Sequence, residues 1–397
     1  MAFERTSFSR TGFCRLRPEA SDGIYRYADG LPIVGPRLVI DGVDAVRVTF
    51  QWGAQTAAHC YVVLNTITDR AREHLDDFRM SEGPGRADAR ALVCALPADA
   101  ILSYQRVVVG PWGLDPGART DTGEWIRFLG DAGPDESNPL RVVNGRGAAA
   151  SLFVGPDARV VWPSEDLAAP QMCAPRESEI GTHVSARLGH TRQRRVVMHD
   201  GEADPTCTLI LFDGEIWRGN GVGWLTRRYP GLRIVTIDAG DLGEREAELT
   251  DADRVAALLR AVCDEAGAAP VMVAGQSYGG LAALEAAVRS AVPVDEVVAQ
   301  SPSLWWGGEQ RGVGEGALMG DLRAGQVRPR QGVRLRLQVG TLEETMCPVV
   351  DDCAELLRRL GVAVELDHYR SGHDVAWWRE GLVRPLMNGT LSHADQE

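Results

Sequence analysis

The sequence predicts an all-β sandwich followed by an α/β domain, a mostly parallel sheet flanked by helices. Three observations predict it. The chain has 397 residues, about two to three times a typical domain. Its first third is a series of short apolar runs between Gly, Pro and Asp clusters, the texture of a small sandwich. Beyond residue 175, apolar runs alternate with helical segments of about a dozen residues, the texture of a parallel sheet covered on both faces.

The elements follow in order. Residues 36–50 (PRLVIDGVDAVRVTF) alternate apolar and polar, with Asp41-Gly42 as a turn. Further strands are expected at 60–65, 91–96, 103–109 and 158–162, with loops at 130–138 and 145–150. Around 163–175 the chain becomes Pro- and Ala-rich without periodicity, so the linker falls there. The division is then 1–165 for the sandwich and 175–397 for the α/β domain. In the latter, strands are expected at 195–198, 208–212, 232–237, 271–274, 296–300, 334–339 and 362–366. Helices are expected over 251–266, 280–290 and 349–360.

Composition narrows the function. The apolar fraction is 44% and the charged fraction 24%, which suits a globular chain and excludes disorder. The net charge of −13 argues against nucleic acid and anionic membranes as partners, since both need a positive field. All 42 basic residues are Arg, which excludes Schiff-base chemistry, a Ser–Lys dyad and a P-loop lysine. Eight scattered cysteines form neither a disulfide frame nor a zinc motif. With no apolar leader at 1–10 and no run of spanning length, a cytoplasmic protein is expected.

The chemistry centres on Gly275-Gln276-Ser277-Tyr278-Gly279, a G-x-S-x-G. Four apolar residues lead in and a helix-prone LAALEAA leads out, the strand–turn–helix setting of a nucleophile elbow in the α/β-hydrolase fold. The following helix N-terminus favours the oxyanion of acyl transfer. A serine hydroxyl needs a base, and in this fold the order is Ser, acid, His. Of His368, His373 and His393, His373 stands in a loop after the last strand, where the base belongs. The acid is expected at Glu343 in the loop after 334–339, with Glu344, or a dyad without an acid, as the alternatives. Asp374 adjoins His373 too closely to orient its ring and is expected to fix the loop. The oxyanion hole is expected from the N–H of Tyr278 and one from Gly214-Glu215.

With these motifs, the second domain resembles the enterochelin (enterobactin) esterases. The matching strings are LFDGEIW (211–217), VAGQSYGGL (273–281), SPSLWW (301–306), 340–343 and GHDVAWWREGL (372–382), with Arg245 in a middle segment. The similarity covers residues 175–390. More weakly, VTFQW (48–52) and ESNPL (136–140) resemble the family's immunoglobulin-like N-terminal domain. Pro302 and Glu344 depart from the family pattern.

The resemblance implies a serine esterase opening the trilactone of ferric catecholate siderophores, with Ser277 as nucleophile, His373 as base and Glu343 as acid. No cofactor or resident metal is implied; iron enters only with the substrate. Trp305, Trp306 and Trp378 are candidates for stacking on catechol rings, against the alternative of core packing. Arg194, Arg195, Arg218 and Arg379 are candidates for meeting the anionic complex, against the alternative of surface arginines.

Overall fold

The computed structural model describes residues 12–17, 31–53, 59–83, 86–110, 116–162, 176–188, 194–267, 270–289 and 292–388. The expected linker at 163–175, Cys173 and His393 lie outside them. The chain forms two compact units. One comprises Met1–Val160 and Arg370–Trp377, the other Val161–Tyr369 and Trp378–Glu397.

Among the described residues, the first unit holds nine strands: β1 (Cys14–Arg15), β2 (Ile33–Ile40), β3 (Val43–Gly53), β4 (His59–Leu64), β5 (Ser81–Gly83), β6 (Arg86–Pro97), β7 (Ile101–Val109), β8 (Arg141–Val143) and β9 (Ala149–Val154). They form two antiparallel sheets, β1-β6-β3-β2 with β5 on β6, and β4-β7-β9-β8. Asp41 and Gly42 both take positive φ between β2 and β3, as a tight hairpin turn requires. Phe50 of β3 meets Tyr104 of β7 edge to face at 4.9 Å, joining the two sheets in one core.

The strand expected at 158–162 is absent, and 149–154, partly assigned to a loop, is β9. The Val161 and Trp162 amides instead donate to the Glu380 carboxylate at 2.7 Å each, which occupies the groups a strand would use. The unit also carries a helix, Thr122–Gly130, that an all-β reading lacks. Asp121 caps it by accepting from the Glu124 amide. Trp125, Phe128 and Leu129 bury one face of it.

Among the described residues, the second unit holds eight strands: β10 (Arg176–Glu179), β11 (Val196–Asp200), β12 (Cys207–Phe212), β13 (Leu232–Ile237), β14 (Val271–Gln276), β15 (Glu296–Gln300), β16 (Arg334–Gly340) and β17 (Ala363–Tyr369). Their order is β10-β11-β13-β12-β14-β15-β16-β17. All pairs from β13 to β17 are parallel, and β11 is antiparallel to both β10 and β13. Strands β12, β14 and β15 are buried along their whole length, as expected for strands covered on both faces. The helices Ala252–Ala266, Tyr278–Arg289 and Cys347–Arg359 supply apolar faces to this core. Among the described residues, no helix is long and apolar enough to cross a membrane.

Candidate active site

The parallel sheet grows in two directions from β12. The chain leaves β12 for β13 on one side, then returns to β14 on the other. A crevice outside the carboxyl ends of such strands is the usual ligand position in open α/β sheets. Asp213-Gly214 ends β12 and Ser277 ends β14.

Ser277 takes φ +58 between β14 and the helix Tyr278–Arg289. Its N–H donates to the Gln300 carbonyl at 2.9 Å, and its carbonyl accepts from Ser303 N–H at 3.0 Å. Its Oγ lies 3.4 Å from Ser303 Oγ. The flanking glycines make the turn possible. A Cβ on Gly275 would fall 2.4 Å from the Gly279 backbone, and one on Gly280 would fall 2.9 Å from the Gln300 carbonyl. Gly279 lets the turn approach β12, since a Cβ there would sit 3.2 Å from Phe212 Cβ.

The loop after β12 is held by charge. Asp213, buried and at φ +57, accepts from Arg245 at 2.5 and 2.8 Å and from Gln276 Nε2 at 3.0 Å. Burial works against the Arg245 charge, but Asp213 more than offsets it and its pKa is raised. Gly214 is needed where it stands, because a Cβ would lie 2.8 Å from the Ile237 amide. Gly214–Gly219 and Tyr278–Arg289 both begin at these loops, so the amides of Gly214, Glu215 and Tyr278 belong to first helical turns, which lack intrahelical acceptors. The Glu215 side chain is held by Ala239 N–H at 3.2 Å, and burial raises its pKa.

An aromatic cluster adjoins the elbow. Tyr278 packs against Trp305 and Trp306 with ring centroids 5.7 and 5.5 Å away. Both tryptophans are half-buried. The Tyr278 hydroxyl donates to Glu246 at 2.8 Å and accepts from Arg311 at 2.8 Å; burial and Glu246 push its pKa up to about 12. Arg311 also lies over Trp305, 5.6 Å from the ring centroid, and its side chain is 69% exposed.

Glu343 is fully buried, and Glu344 faces solvent. Glu343 Oε1 accepts from Ser301 Oγ at 2.5 Å and from Gly340 N–H at 2.9 Å. Ser301 itself takes φ +42 and accepts from Trp378 Nε1 at 3.1 Å.

His373 belongs to the Arg370–Trp377 segment of the first unit. Its N–H donates to Thr66 Oγ1 at 2.8 Å, and its carbonyl accepts from Asn65 Nδ2 at 3.1 Å. Asp374 is fully buried and accepts from Ser103 N–H at 2.7 Å, Ser103 Oγ at 2.9 Å and Ala376 N–H at 3.0 Å. It fixes the loop, as its position beside His373 suggested. His368 is paired with Asp351 at 2.8 Å. Cys347 stands near that pair, its thiol pushed up to about 11 by burial.

Several expected substrate contacts are placed otherwise. Trp378 is buried with its indole N–H on Ser301, and Arg379 is buried over Trp162, 5.8 Å from the ring centroid. Both are packing residues. Arg194 pairs with Glu248, and Arg218 binds Asp238 at 2.5 and 2.7 Å. Arg195 stands exposed, 3.4 Å from Glu179. The arginines beside the elbow are instead Arg245 and Arg311. Arg245 was visible only through the family resemblance, and Arg311, in a glycine-rich loop, carries no sequence signal.

The Esterase family model matches residues 245–388. The iron(III) salmochelin esterase of Escherichia coli O6:H1 is 29% identical, over 90% of this chain and 91% of its own. The iron(III) enterobactin esterase of the same strain is 32% identical, over 66% of this chain and 69% of its own. The crystal structure of the Salmonella typhimurium ferric enterobactin esterase superposes with a TM-score of 0.74 at 26% identity, covering 92% of this chain and 98% of that one. That of the Shigella flexneri enterobactin esterase, determined in the presence of enterobactin, gives 0.73 at 27%, covering 92% and 96%. The chain belongs to the iron(III) enterobactin esterase family.

Proposed function

We propose that this protein is a serine esterase that hydrolyses the ester bonds of a ferric catecholate siderophore and so promotes iron release. The observation that carries the reading is Ser277, held at positive φ at the carboxyl end of β14, beside the strand where the sheet changes its direction of growth. The relatives named for enterobactin and salmochelin supply the substrate class.

Ser277 Oγ attacks an ester carbonyl, and its proton passes to His373. The N–H groups of Tyr278 and of Gly214 or Glu215 stabilise the oxyanion. The leaving seryl hydroxyl takes the proton back, and water then frees the acyl-enzyme by the same steps in reverse. Glu343, the buried one of the two candidate carboxylates, serves as the acid that orients His373. Repeated rounds cut the trilactone to linear trimer, dimer and monomer, which weakens chelation. Half-buried Trp305 and Trp306 offer faces to catechol rings, and exposed Arg311, paired with Glu246 at 2.9 Å, offers its remaining N–H donors to the anionic complex. We read the first unit as an immunoglobulin-like sandwich. The seven described cysteines are reduced thiols, which supports a cytoplasmic setting.

The test is chromatography of cyclic enterobactin, its ferric complex and a simple aryl ester after incubation with the protein. Successive opening of the siderophore is expected. Ser277→Ala should abolish it with an unchanged melting temperature. Turnover of the aryl ester alone would overturn the siderophore reading.

A further inference from the structure

The segment that carries His373 lies in sequence between β17 and the last helix, Val375–Asn388, yet it belongs to the first unit. Its bonds there are specific. Asn65 and Thr66 form the turn between β4 and the helix Ile67–Arg70. Asn65 N–H donates to the Ser103 carbonyl at 3.0 Å, continuing the β4–β7 ladder. The register therefore sets Asn65, Thr66 and Ser103 side by side. From this edge Thr66 Oγ1 accepts the His373 N–H, Asn65 holds the His373 carbonyl, and Ser103 binds Asp374 twice. Ser371 Oγ adds a bond to the Ile101 carbonyl at 2.6 Å. Residues on both sides of His373, and its own backbone, are thus tied to one strand pair.

Thr66 carries a second, independent mark. It takes φ +65, a left-handed backbone that is a true outlier for a β-branched residue. Such strain persists where the surroundings demand it, often at functional sites. Gly372 shows the same demand from the other side, since a Cβ there would fall 2.4 Å from Thr66 Cβ. Asp374 fits a fixed support as well: it is fully buried, and burial raises its pKa against the pull of the donors that bind it.

We propose that Thr66, with Asn65, Ser103 and Asp374, is a positioning device for His373. The proposal rests on the reading of His373 as the base. Positioning of a catalytic group is worth orders of magnitude, and a displacement of about 1 Å can cost roughly a hundredfold in rate.

The test separates positioning from folding through the strained backbone. In the full chain, Thr66→Gly removes the hydroxyl and also relieves the positive φ. Its melting temperature should be unchanged or raised, while kcat for siderophore opening falls at least about tenfold with KM little changed. Thr66→Ser keeps the hydroxyl and should retain kcat within about threefold. Ser103→Ala, which keeps the backbone donor to Asp374, should lower kcat less than Thr66→Gly does. His373→Ala is the control. If it retains activity, His373 is not the base, and the functional reading fails. If it is inactive while Thr66→Gly turns over like the wild type, the positioning proposal alone is overturned. A lowered melting temperature for Thr66→Gly would overturn it too, by making Thr66 a folding residue.

Discussion

A left-handed backbone costs a non-glycine residue about 1–3 kcal/mol, and five of the described residues carry it: Asp41, Thr66, Asp213, Ser277 and Ser301. Asp41 is explained by its hairpin. The other four are the proposed nucleophile, the loop that flanks it, the partner of Glu343 and the acceptor for His373 N–H. Strain therefore collects where a polar atom must be aimed, and the hydrogen bonds around each residue hold it there. Ser301 gives the prediction at this scale. Ser301→Ala leaves the buried Glu343 carboxylate short of one donor, which costs about 1–3 kcal/mol. A lower urea midpoint is expected, together with a larger fall in kcat than rise in KM. Retention of both would detach Ser301 from the proposed acid.

At the scale of elements, the alternation of strand and helix was legible in the sequence. Every strand from β12 to β17 coincides with an expected strand, and β12, β14 and β15, buried along their whole length, read as short apolar segments. The Ser277 elbow was equally legible, since its G-x-S-x-G pattern lies between an apolar run and a helix-prone one, although Gly279 and Gly280 are required by the distant Phe212 and Gln300. Less legible were Gly214–Gly219 and Leu242–Leu249, helices too short for a clear period. Yet Leu242–Leu249 presents Arg245 to Asp213, and this ion pair holds the loop after β12. Arg245→Ala leaves Asp213 buried without its main partner. It should destabilise the fold by about 3–5 kcal/mol, as breaking a buried pair does, and depress activity. Arg245→Lys restores the charge but not the two-point contact, so chemical denaturation should show an intermediate loss.

For the whole molecule, the net charge of −13 means that the global field repels an anionic substrate, so attraction must be local. The arginines singled out in the sequence are paired with carboxylates, and Arg311 is too, with Glu246 at 2.9 Å, but its side chain is 69% exposed beside Tyr278 and Trp305. The pH response is a second property of the whole fold. His199 on β11 is buried, and desolvation lowers its pKa below 6.5, against the pull of Glu177. The unfolded chain thus takes up a proton near the ordinary value while the fold excludes it. Stability from this group is present above pH 6.5 and is lost as pH falls through the lowered folded value. Thermal melting should therefore drop on acidification below pH 6.5, and His199→Gln should flatten that part of the curve. An unchanged slope would show that His199 is not the group responsible.

The sequence by itself determined what short-range chemistry controls: the apolar runs that become the parallel sheet, the Asp41-Gly42 turn and the glycines that shape the Ser277 elbow. The tertiary structure decided which carboxylate is buried, which arginines remain exposed, that Trp378 and Arg379 pack inside, and that Thr66 holds a residue 307 positions away. Periodicity and turn chemistry act over a few residues, so one sequence reveals them. The partner of a buried polar group is fixed only when distant strands close on one another, and no local pattern encodes that closure.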